Sequence, residues 1–173
     1  PARIDLPGME REILEFWETE DVFHRSLAQT ENGPSWVFYE GPPTANGTPG
    51  THHIEARVFK DVFPRYRTMK GYHVPRKAGW DCHGLPVELA VEKELGFSGK
   101  GDIEAFGVEE FNAKCRESVL RHVDEFGVMT RRMGYWVDMD QAYWTMDRDY
   151  VQSVWWSLSQ IFKKGWLVQD HRV

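Results

Sequence analysis

Two short stretches carry the residue types that could do chemistry. The first is Gly41-Pro42-Pro43-Thr44-Ala45-Asn46-Gly47-Thr48-Pro49-Gly50, followed by Thr51, His52 and His53. Three glycines and three prolines in ten residues exclude a helix or a central strand. A loop that opens a helix at about His52 exposes the free amides and the positive dipole end of that helix, a ready anion site. Glycines admit a ligand close to the backbone, and His52 and His53 add donors, so a nucleotide phosphate is the natural guest. The same spacing also fits a connection whose histidines only cap and solvate. Neither a G-x-x-x-x-G-K-S/T nor a G-x-G-x-x-G pattern is present to decide between the two.

The second stretch is Gly79-Trp80-Asp81-Cys82-His83-Gly84-Leu85-Pro86-Val87-Glu88. In an open parallel sheet, ligands bind beyond the carboxyl ends of the strands, which would put Asp81 in the same crevice as the first loop. A carboxylate beside a phosphate site is repulsive unless it faces a cation, so Asp81 suits an ammonium group or a magnesium ion. Its other reading is the cap of a helix starting near Leu85. Cys82 and His83 are adjacent and lack a second Cys-x-x-Cys pair, which argues against zinc. No metal site is expected.

The elements that must position these residues follow from periodicity. Met9, Ile13, Phe16 and Trp17 share one face of a short amphipathic helix with Pro7 at its start. Trp36 to Tyr39 reads as a buried strand, and His73 to Trp80 as a second one. Between them, Ile54, Val58, Val62 and Tyr66 recur with helical spacing, and Pro64 is expected to kink or end that helix early. Leu85 to Leu95 predicts a helix, as do residues 108–130 and 149–165, with Phe111, Cys115, Val119 and Val123 forming a stripe. Strand, glycine-rich loop, helix, strand, helix is the start of a parallel α/β unit with a right-handed crossover. Only two strands are convincing, so the sheet reads as incomplete.

The chain has 173 residues, 28% charged and 41% hydrophobic, enough for one domain with a core. Aromatics make up 14%, with eight tryptophans, which implies wide apolar surfaces for a core or for docking. The net charge of −6 argues against indiscriminate phosphate-backbone binding by the whole surface. Lys60, Arg65, Arg67, Lys70, Arg76 and Lys77 form a basic run that reads as a solvated face or, less simply, as an approach to RNA. Two cysteines and no long apolar run predict reduced thiols, a cytoplasmic location and no membrane partner.

Tyr39-Glu40-Gly41-Pro42-Pro43-Thr44-Ala45-Asn46-Gly47, with Pro49 and His53, resembles the ATP signature of class I aminoacyl-tRNA synthetases. The block from Gly79 to Glu88 is similar to that of the isoleucyl members, more than to the valyl or leucyl ones. Lys60-Asp61, Arg65-Tyr66, Met69-Lys70-Gly71 and Met133-Gly134-Tyr135-Trp136-Val137-Asp138 extend the resemblance over essentially the whole chain. It implies an isoleucine–tRNA ligase that forms isoleucyl-adenylate from isoleucine and ATP with Mg2+ and then esterifies tRNA(Ile). Trp80 and Leu85 read as packing around the pocket.

The resemblance implies roles by position. Pro42 would wall the amino-acid pocket and Asp81 would hold the α-ammonium. Asn46, Gly50, Thr51, His52 and His53 would face ATP, with His52 and His53 taking the catalytic places. Where the family reads His-x-Gly-His, this chain reads Gly50-Thr51-His52-His53: the first histidine and the glycine have exchanged places. Either His52 then turns to take over phosphate contacts, where Gly50 leaves room, or the ATP pose differs from that of the family. The fold implied is α/β, the first half of a Rossmann-like parallel-sheet catalytic domain with flanking helices. Residues 1–173 would be the N-terminal half of the catalytic nucleotide-binding domain, truncated before the editing insertion. Its partners would then include the remainder of the polypeptide, with its editing domain, second catalytic half and anticodon-binding domain. The rival classes are a valyl- or leucyl-type synthetase, another α/β nucleotidyltransferase, and a non-catalytic binding fragment.

Overall fold

The loop-to-helix junction is where the sequence expectation and the observed chain agree most closely. In the computed structural model, which describes residues 4–171, the Gly/Pro loop runs without regular structure into helix α3, Thr51–Met69. Helices α1 (Leu6–Thr19) and α2 (Val22–Gln29) precede it. Strand β1 (Lys77–Trp80) follows, then helices α4 (Leu85–Leu95), α5 (Lys100–Phe106), α6 (Val108–Leu120) and α7 (Val123–Arg132). Strand β2 (Asp138–Trp144) and helix α8 (Arg148–Lys163) complete the order. Among the described residues no helix is long and apolar enough to cross a membrane.

The sheet is parallel, as expected, but only one of its two strands, β1, is one the sequence suggests. β1 pairs with β2, Lys77 opposite Asp138 and Trp80 opposite Trp144. The Trp36–Tyr39 segment is neither a strand nor buried, with Val37 71% and Tyr39 85% exposed, and only Ser35 beside it forms a single parallel bridge, to His73. His73 N–H donates to the Pro34 carbonyl and Trp36 N–H to the His73 carbonyl, both at 3.0 Å. The next bond of a parallel ladder would need the N–H of residue 75, which is proline, so the ladder stops. The same proline shortens the expected His73–Trp80 strand to Lys77–Trp80.

Three further differences have local causes. α3 runs through Pro64 instead of ending there. The proline forfeits only the bond to the Lys60 carbonyl. The following turn is tied down: Arg65 donates to Asp61 and to the Gly134 carbonyl, and Arg76 donates to Thr68. The single helix expected over 108–130 breaks at Arg121–His122, where the His122 N–H turns away to bond the Ala45 carbonyl at 3.1 Å. β2 escapes a sequence reading because Asp138, Asp140 and Gln141 have little strand preference.

The core gathers Ala45, Trp80, Cys82, Val87, Val119 and Phe126, so a residue of the loop belongs to it. Phe111 and Val119 of the expected stripe are buried, and Val123 packs against the same cluster from the start of α7. The apolar face of α1 is less covered than its pattern suggests: Met9, Ile13 and Phe16 are each about half exposed. Trp17 meets Trp136 edge-on at 5.0 Å and holds α1 in place.

Candidate active site

Two loops converge because their backbones bond each other. The Asp81 N–H donates to the Pro43 carbonyl at 2.9 Å, and the Thr44 hydroxyl donates to Asp81 Oδ2 at 3.3 Å. Asp81 is thereby held beside the Gly/Pro loop, partly buried, with Oδ1 accepting from the His83 N–H. The alternative reading, a helix cap, is not the role it takes. The cap of α4 is Gly84, and no side chain caps that helix.

At the start of α3 the cap residue is Gly50, and it offers no side chain to the first helical amides. The Gly50 N–H instead donates to His53 Nδ1 at 2.9 Å. That bond assigns the ring proton of neutral His53 to Nε2, leaving Nε2–H as its free donor. Burial, then the charges of His52, Arg57 and Lys60, hold the His53 pKa below its ordinary value, so the ring is neutral near pH 7. Phe126 meets His53 edge-on at 4.9 Å and fixes its plane from the core side.

His52 folds back over Gly50. A Cβ at position 50 would stand 2.9 Å from Cε1 and 3.0 Å from Nδ1 of the His52 ring. The exchanged positions are therefore complementary: the glycine makes room, and the second histidine fills it. The two rings lie 3.9 Å apart between centroids. Thr51 is exposed, and Asn46 reaches across to the Pro86 carbonyl at 3.3 Å, tying the loop to α4.

Behind the loop lies a polar cluster that the sequence reading did not single out. Glu40, buried at 6% exposure, accepts from Lys60 Nζ at 2.5 Å and from the Tyr135 hydroxyl. Burial, reinforced by the Glu40 carboxylate, pushes the Tyr135 phenol far above its ordinary value, so it stays a donor. Tyr143 donates to the Glu40 carbonyl at 2.8 Å, which it reaches by crossing over Gly79, where any Cβ would overlap its ring. Burial lowers the Arg57 pKa and Glu40 opposes that shift; its guanidinium lies 5.4 Å from the Phe126 ring centroid. Glu40, Lys60 and Tyr135 stand in separate blocks of the sequence, Lys60 20 and Tyr135 95 residues from Glu40, and nothing local signals that they meet.

The basic run is neither a solvated face nor an open RNA surface at several of its positions. Lys60 pairs with Glu40, Arg65 pairs with Asp61 and stacks on Trp136 at 3.9 Å, and Arg76 is 2% exposed. Arg67 lies over the Trp36 and Tyr72 rings. Trp80 is core, as expected, whereas Leu85 is 63% exposed. Among the described residues no three His, Cys, Asp or Glu side chains converge as a metal site.

A parallel α/β frame with a glycine-rich loop opening a histidine-bearing helix, and an acid held across from it, defines a class. Residues 12–173 match the family described as tRNA synthetases class I (I, L, M and V), and the chain belongs to that family. It is 74% identical over its full length to the isoleucine–tRNA ligase of Thermobifida fusca and 71% identical to that of Streptomyces coelicolor. Identity to the Thermus thermophilus isoleucine–tRNA ligase is 52% over 98% of the chain. The chain spans 16% of the length of each of these relatives. Among solved structures, the LeuRS of the LeuRS-tRNA-LeuAMS ternary complex from Agrobacterium radiobacter K84 shares the fold. Its TM-score is 0.63 at 18% identity, covering 94% of this chain and 18% of that one.

Proposed function

We infer that this chain supplies part of the ATP and amino-acid site of an isoleucine–tRNA ligase, as the N-terminal half of its catalytic nucleotide-binding domain. The observation that carries the reading is the junction of Asp81 with the loop that opens α3, through the Pro43 carbonyl and Thr44. In that reading Asp81 faces the α-ammonium of isoleucine, and Pro42 walls the side-chain pocket. The Thr51 amide, His52 and the Nε2–H of His53 meet the ATP phosphates, with Gly50 leaving room beside them and Asn46 bracing the loop.

The isoleucine carboxylate attacks the α-phosphorus, the bond to the bridging oxygen breaks, and pyrophosphate leaves with that electron pair. Protein residues do no covalent work in this step. They align the two reactants and offset the charge that builds on the phosphates. Neutral His53 donates without altering the count of charges. Mg2+ would arrive with the ATP phosphates. Transfer to tRNA(Ile) draws on the remainder of the polypeptide, whose parts would cover the apolar faces left open here. A cytoplasmic setting accords with free Cys82 and Cys115.

ATP–pyrophosphate exchange by the full-length parent, assayed with each amino acid in turn, tests the reading. Exchange that depends on isoleucine and is much weaker with leucine supports it. Exchange driven best by another amino acid, or none at all, overturns it.

A further inference from the structure

Prolines 42 and 43 have no N–H to donate, so the loop must be held through its carbonyls. The structure shows where those carbonyls go. Glu40 C=O accepts from the Tyr143 hydroxyl on β2, at 2.8 Å. Gly41 C=O accepts from Lys60 Nζ on α3, at 2.5 Å. Pro43 C=O accepts from the Asp81 N–H after β1, and Ala45 C=O from the His122 N–H before α7. Elements distant in sequence thus meet along a few residues of loop.

Glu40 stands at the root of this arrangement. Its carboxylate binds the same Lys60 ammonium that holds the next carbonyl, and it also takes the Tyr135 hydroxyl. A cavity of about 10 Å³ between Glu40, Pro43, Arg57, Trp80 and Tyr135 leaves room for one water at most. On this side, facing Pro43, Arg57 and Tyr135, the Glu40 carboxylate therefore has no room to shift, although on the other side Glu40 borders an open cavity of about 530 Å³. α3 keeps its own backbone bonds without Glu40, so the carboxylate bears on the loop more than on the helix start.

We propose that Glu40, acting through Lys60 and the tyrosines, is a positioning residue that sets the amino-acid side of the site by fixing the Pro42–Pro43 wall against Asp81. The inference rests on the function read above. It concerns a buried residue that touches no substrate, and it predicts a selective kinetic defect. When the wall shifts, isoleucine contacts loosen while ATP contacts at the start of α3 remain.

The test uses the full-length parent protein, with kinetic constants normalised to titrated active sites. Glu40→Gln keeps the size and removes the charge. It should raise KM for isoleucine by about tenfold or more and lower the preference for isoleucine over valine. KM for ATP should stay within about twofold. Lys60→Met should reproduce the defect, the double variant should be little worse than either single one, and Lys60→Arg should restore part of it. Tyr143→Phe removes one carbonyl tether and should move the same constants less, which keeps the test open if Glu40→Gln does not fold.

A residue that serves stability alone would lower the melting temperature and the titrated fraction while leaving both constants per active site unchanged. That result, or equal rises in KM for ATP and isoleucine, overturns the proposal. A parent protein without isoleucine-dependent exchange overturns the underlying reading as well. Normal exchange in the parent with unmoved constants in the variants overturns this inference alone.

Discussion

The loop at 41–50 and helix α8 are opposites. The loop has no regular structure, yet its carbonyls are tied to α3, the turn after β1 and the break before α7, and the Glu40 carbonyl just before it is tied to β2. α8 is an unbroken helix with no buried residue, and Trp155 and Trp156 stand 68% and 65% exposed. A helix satisfies its own backbone and can stand with few neighbours, whereas a loop rich in proline depends on others for its bonds. Regularity and fixity are separate properties. Of the proposed site residues, Pro42, Asn46 and Gly50 lie on the irregular, fixed part.

The sharpest way to break this contrast is to empty the core beneath the loop. Phe126 is fully buried and packs beside His53, Trp80 and Arg57. Phe126→Ala should cost about 3–5 kcal/mol in chemical denaturation of this chain. A loss below about 1 kcal/mol would mean that the loop's support lies elsewhere.

Asp81→Asn keeps the shape of the loop junction and removes its charge. In the parent enzyme it should cost about 1.5–3 kcal/mol of isoleucine binding, read as a rise in KM. An unchanged KM with normal turnover would reduce Asp81 to a loop brace.

The pH response of His53 sharpens the comparison without altering the backbone. Its folded pKa lies below the ordinary 6.5, so the unfolded chain binds more protons as acid is added. The stability tied to neutral His53 is complete above that ordinary value and is lost as pH falls through the depressed one. Protonated Nδ1 also cannot accept from the Gly50 N–H. Melting temperatures of the wild-type chain and of His53→Gln should therefore converge as pH drops from about 8 to 5. Parallel curves would show that the bond to Gly50 contributes nothing.

The smallest effect belongs to α8. Trp156→Ser should change the stability of this chain by less than about 0.5 kcal/mol. In the full-length parent the same change should cost more, because the proposed reading covers that face. Equal effects in the two proteins would leave the face uncovered.

How much of this was legible beforehand differs by kind of residue. Asp81, Gly50, His52 and His53 could be named because they stand in blocks that resemble a known family's; spacing alone left a cap and a solvated connection open. Leu85–Leu95 matched its helix bounds because its punctuation, Gly84 before and Gly96 after, is local. Tyr135, Tyr143 and the break at His122 could not be read, since their meaning is a bond to a residue far along the chain. Pro75 was visible, but its effect required knowing that His73 faces Ser35. The basic run misled because charge predicts exposure only when no buried acid is near.

The pairing of β1 with β2 encloses the entire helical stretch from α4 to α7. Contacts that close so long an intervening segment are entropically late in folding, and topologies built on them fold slowly. During synthesis the loop and α3 leave the ribosome well before Tyr135 and Tyr143, which complete their anchorage. Until then the Glu40–Lys60 pair has only part of its setting, and the prolines leave the loop without a ladder of its own. A nascent chain whose emerged part ends before residue 135 should thus expose this loop to protease, while one that has emerged past Thr145 should protect it. The order of translation, then, separates the moment at which the site's residues exist from the moment at which they are arranged.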